Sequence, residues 1–89
     1  MARVIWSREV IAHLELIRAY IAEFDPVAAD RLAARLLDAG ESLRDFPLRG
    51  RPTPDGWREL PTIPPYILQY EVRDDVVRIL AIRHGRQRR

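Results

Sequence analysis

Apolar residues recur at Val10, Leu14, Ile17, Ile21 and Phe24. Steps of three and four are the stripe of an amphipathic helix, and Ile11 and Tyr20 widen it. Ser7 stands where an N-cap belongs. Glu15 and Arg18 are an i,i+3 pair on the polar flank. The pattern restarts after Asp25-Pro26. The residue before a proline is disfavoured in the α region, Asp25 is a capping type, and Pro26 suits a first helical position. A second helix is predicted over about 26–45, with Ala29, Leu32, Ala33, Leu36, Leu43 and Phe46 on its apolar side. Gly40 lies on that side at a cost of about 0.5–1 kcal/mol against alanine, which implies close approach to the first helix. Two helices joined by so little chain form an antiparallel hairpin, and Leu14, Ile17, Ile21, Leu32, Leu36 and Leu43 are its expected core.

Elsewhere the period is two or the chain is broken. Residues 2–6 read as a short strand, and 47–56, with three prolines and two glycines, as a connector with turns. Trp57 to Leu60 is a short strand, interrupted by Pro61, Pro64 and Pro65. Tyr66 to Val72 and Val76 to His84 form a hairpin about Arg73-Asp74-Asp75. In the last strand Val77, Ile79 and Ala81 are expected to face one way, with Leu80 and Ile82 facing the other. A strand apolar on both faces is covered on both or wants a partner. The expected fold is α+β, of order β-α-α-β-β-β, with the helical hairpin on one face of a small, mostly antiparallel sheet. Residues 1–89 are expected to form a single domain.

Composition narrows the chemistry. There is no cysteine, hence no disulfide, thiol nucleophile or thiolate metal site. His13 and His84 are the only histidines, and neither has a ligand-spaced partner, so no metal and no cofactor are expected. No apolar run reaches membrane-spanning length; a cytoplasmic protein without membrane contact is expected. All fifteen basic residues are arginine, whose planar fork of donors suits carboxylate or phosphate. They are unevenly placed. Residues 1–45 hold six arginines against eight acids, and residues 46–89 nine against five. The strand-rich half is therefore the basic half, which suits an acidic or phosphate-rich partner. Arg58, Arg83, His84 and Arg86 are its candidate contact residues. Tyr66 and Tyr70 fall on one strand face with Leu68 and read as core.

Several segments resemble, in order and spacing, the RelE/ParE toxin superfamily. They are Val4-Ile5-Trp6-Ser7, Ile17-x-x-Tyr20-Ile21 and Asp25-Pro26-x-Ala28-Ala29 in the first half. In the second they are Pro47-x-x-Gly50-Arg51, Arg58-Glu59-Leu60, Tyr66-Ile67-x-x-Tyr70 and Ile79-Leu80-x-Ile82-x-His84-Gly85-Arg86. The pattern is most similar to the ParE-like, plasmid-stabilisation branch. The resemblance implies a toxin of a type II toxin–antitoxin pair, neutralised by a cognate antitoxin in a complex that can be a higher-order heterooligomer. For the ParE-like branch it implies action by protein contact with DNA gyrase, with Arg58, Arg83, His84 and Arg86 as a target-contact surface and no catalytic residue. For the related endonuclease branch it implies cleavage of ribosome-bound mRNA, with His84, Arg58 and Arg83 as the catalytic set. That branch often carries a C-terminal tyrosine, and here no tyrosine follows Tyr70. The apolar residues Tyr66, Leu68, Tyr70, Leu80 and Ile82 are expected to bind the antitoxin.

Overall fold

The structure is a computed structural model, and it describes residues 1–85. Strand β1 (Arg3–Trp6) leads into helix α1 (Arg8–Ala22). The Ser7 side chain accepts from the Val10 N–H at 3.1 Å and starts that helix. Asp25 does the same for α2 (Pro26–Glu41), accepting from Ala28 at 3.0 Å, with Pro26 in the first turn. A 3-10 turn (Ser42–Arg44) ends the helical hairpin. Four strands follow: β2 (Arg51–Pro52), β3 (Arg58–Pro61), β4 (Tyr66–Arg73) and β5 (Val76–His84). The sheet order is β1-β5-β4-β3-β2. β1 runs parallel to β5, the crossover being the two helices, and the other three pairings are antiparallel. The α+β class and the hairpin-on-sheet layout are as the sequence predicted. Asp74 turns β4 into β5 at φ 56°, a left-handed conformation that aspartate tolerates.

The core lies between the hairpin and one sheet face. Val10 and Leu14 of α1, Leu32 and Leu36 of α2, and Leu43 meet Leu60, Leu68, Tyr70, Val77, Ile79 and Ile82. Ile17 and Ile21 are half-buried against this cluster. Three expectations about the helices need correction. Tyr20, Phe24 and Phe46 are 65%, 73% and 66% exposed, not core. The stripe is real, but Ile21 is the last residue of α1 that packs against the core, and Phe46 lies beyond the 3-10 turn. The second helix ends at Glu41, and Leu43 reaches the core from the 3-10 turn. Gly40 makes room for the Trp6 ring of β1, which an added Cβ would overlap, and not for α1.

The connector also differs. Arg51 and Pro52 pair with Glu59 and Arg58 as a two-residue edge strand, a position where proline's missing N–H does no harm. In β5, strict alternation fails. The β4–β5 register slips between Gln69 and Tyr70, so that Gln69 pairs with Ala81 and Tyr70 with Ile79. Leu80 is the extra residue of a bulge. Val77 and Ile79 face the helices before it, and Ile82 faces them after it. Ala81 and Arg83 are thereby turned to the outer face of the sheet.

Candidate functional site on the outer sheet face

The outer face is built by register. Arg51 pairs with Glu59, Glu59 with Gln69, and Gln69 with Ala81. Cross-strand partners share a face, so these four form a row across β2, β3, β4 and β5. Arg83, two residues beyond Ala81, shares their face, because the Leu80 bulge has shifted the phase by one. Glu59 is the centre of the row. Its Oε1 lies 3.5 Å from Arg51 Nη2, and its Oε2 lies 3.6 Å from Arg83 Nη1. The carboxylate is 19% exposed, while Arg51 is 70% exposed. A second pair, Arg78 with Glu71 at 4.0 Å, lies further along β4 and β5. Ion pairs this open contribute about 0–1 kcal/mol to folding.

The inner face receives the other residues of the expected site. Arg58 pairs with Tyr70, and its Nη1 donates to the Gly50 carbonyl at 2.6 Å and the Leu48 carbonyl at 3.3 Å. Tyr70, fully buried, accepts from the Gly50 N–H at 2.7 Å and donates to the Pro47 carbonyl at 2.8 Å. Burial pushes its phenol above the ordinary value of 10.0, with the Gly50 N–H and the nearby arginines opposing. His84 is the cross-strand partner of Tyr66, and the two rings meet edge to face with centroids 5.9 Å apart. Arg58, Arg83 and His84 thus do not share a surface. Arg58 and His84 belong to the inner face, Arg83 to the outer, and Arg86 lies outside the described residues. The arginine excess of the strand-rich half groups Arg58, Arg83 and His84, but charge does not tell one sheet face from the other, and nothing in the sequence marks the bulge. Arg51 went unassigned because a two-residue strand leaves no periodicity to read, and Glu59 because alternation in β3 aims it away from Arg58.

The apolar residues expected to meet the antitoxin divide in the same way. Leu68, Tyr70 and Ile82 are buried in the core and present no surface in this conformation. Tyr66 and Leu80 keep partial exposure. The larger exposed apolar side chains lie elsewhere, at Leu16, Tyr20, Phe24 and Val27 on the hairpin and at Phe46 and Leu48 after it. Among the described residues no group of three His, Asp or Glu side chains is placed to hold a metal. No helix among them is long and apolar enough to cross a membrane.

A short helical hairpin packed on a mostly antiparallel sheet is the architecture of the small RelE/ParE-type toxins. The fold matches a chain from the chromosomal ParDE toxin–antitoxin system of P. aeruginosa with a TM-score of 0.82, covering 94% of this chain and 96% of that one at 21% identity. The family model for the ParE toxin of the type II toxin–antitoxin system parDE matches residues 4–89, and the chain belongs to that family, within the RelE/ParE superfamily. It is 46% identical over 85 residues to toxin RelE2 of Caulobacter vibrioides, covering 96% of this chain and 97% of the relative. A relative in Sinorhizobium fredii is 38% identical over 87 residues, covering 96% and 90%. The chain is a toxin component of a type II toxin–antitoxin system, and such a component has a cognate antitoxin as partner.

Proposed function

We propose that the toxin is a ribosome-dependent mRNA endonuclease of the RelE type, working from the outer sheet face. The observation that carries this reading is Glu59 held between Arg51 and Arg83. Cleavage of RNA at a phosphodiester needs a base for the 2′-hydroxyl and stabilisation of charge developing on the phosphate. Glu59 takes the hydroxyl proton. The 2′-oxygen then bonds to phosphorus as the bond to the 5′-oxygen breaks, leaving a 2′,3′-cyclic phosphate. The departing 5′-oxygen takes its proton from solvent. Arg51 and Arg83 exchange their contact with Glu59 for contact with the phosphate, where a planar fork of donors binds two oxygens at once. The face is open, so orientation of the strand must come from outside. A ribosome holding the mRNA supplies it, and positioning of that kind is a large share of rate enhancement. The name of the RelE2 relative supports the same branch.

The second reading is action by contact with DNA gyrase, which the resemblance to the ParE-like branch implies. One experiment separates them: purified toxin on translating ribosomes with the mRNA ends mapped, beside gyrase supercoiling assays. Cleavage is expected with native toxin, and Glu59→Gln should lower its rate about 10²–10⁴-fold while the protein stays folded. Gyrase inhibition with intact mRNA would decide for the second reading.

A further inference from the structure

Arg51 is carried by a strand of two residues. So short an edge strand does not hold itself in place, and the exposed ion pair to Glu59 is too weak to do so. At the strand's far end the Thr53 N–H and hydroxyl donate to the Trp57 carbonyl; at its near end, next to Arg51, the preceding turn is held as well. The Pro47, Leu48 and Gly50 carbonyls and the Gly50 N–H are all bound by two side chains of the inner face, Tyr70 and Arg58. The turn presses directly on them. A Cβ at Gly50 would lie 2.7 Å from the Tyr70 ring and 2.9 Å from the Glu59 carbonyl, so only glycine admits this approach. Tyr70 itself is anchored in the core, and Arg58 sits in β3 beside Glu59. The turn is thus tied to the same strand that carries the carboxylate.

We propose that Tyr70 and Arg58 are positioning residues, which clamp the 47–50 turn from the inner face and so hold Arg51 against Glu59 on the outer one. The inference rests on the outer-face reading above, and it gives Arg58 a role unlike the contact or catalytic one its sequence position suggested. Phosphate stabilisation by Arg51 depends on a tyrosine hydroxyl that never meets the RNA.

The test uses Tyr70→Phe, which keeps the ring and removes the hydroxyl, with Arg58→Met as the second variant should the first fail to fold. Hydrogen exchange at the Gly50 amide should quicken at least about tenfold as the turn is released, with the core amides of β4 and β5 still protected. Cleavage of ribosome-bound mRNA should fall through kcat. In an Arg51→Ala background, Tyr70→Phe should cause no further loss, because its effect passes through Arg51. Losses that multiply in the double variant would overturn the proposal, and so would unchanged exchange at Gly50. If native toxin cuts no mRNA, the nuclease reading fails by itself. The exchange measurement, and the same double-variant comparison read as growth inhibition at matched protein levels, then decide the clamp independently.

Discussion

At the residue scale, neighbours in sequence do opposite work. Arg58 and Glu59 are adjacent, yet one ties a turn from the inner face and the other faces two arginines on the outer. Pleat alternation alone separates them. Tyr70 carries a measurable mark of its place. Its folded-state pKa is raised by burial above the ordinary 10.0, so the native state favours the protonated phenol. The stability this contributes is fully present below pH 10 and is lost as pH rises through the folded value. The stability difference between the native chain and Tyr70→Phe should therefore narrow as pH rises past 10 and through the raised folded value. Urea unfolding across that range tests it, and a constant difference would mean that the phenol is not shielded.

At the element scale, amphipathic period decided most of the fold. The stripe of α1, the Asp25-Pro26 stop and the 66–84 hairpin were all legible, because each repeats a signal over several residues. What escaped were features of one or two residues. The Leu80 bulge leaves no mark in a strand whose residues are apolar on both faces. β2 is hidden among prolines and glycines. Those two features govern where Arg51 and Arg83 stand, so the site was less legible than the fold that carries it. Stripes also overstate burial at their ends. Leu36, at 0% exposure, and Phe24, at 73%, both lie on predicted apolar stripes. Leu36→Ala should cost roughly 2–5 kcal/mol, whereas Phe24→Ala should stay within about 0.5 kcal/mol. Denaturant midpoints for the pair would show whether burial along the stripes ends where the structure places it.

At the scale of the whole molecule, the net charge of +2 conceals a division of labour. The helical half is acidic on balance, and its arginines are partly engaged locally, as Arg18 is with Glu15 and Asp30 and Arg44 with Glu41. The strand half holds the excess of arginine and places at least three of them, Arg51, Arg78 and Arg83, on the open face. If that face receives an RNA backbone, its phosphate contacts release counterions, and affinity falls with salt at a log–log slope of about 0.7 per contact on a single strand. The prediction is specific to the face, not to total charge. Arg83→Ala and Arg51→Ala should each reduce the slope by about 0.7. Arg31→Ala, an equal loss of charge on exposed α2, should leave it unchanged. The measurement is binding of a single-stranded RNA oligonucleotide to Glu59→Gln at several salt concentrations, the background variant being used so that no RNA is cut. Removing the carboxylate charge also removes its repulsion of phosphate, so this variant should bind more tightly than the native chain. Equal slopes for all three arginine variants would mean that RNA is held by diffuse charge, and the outer face would lose its claim to be the site.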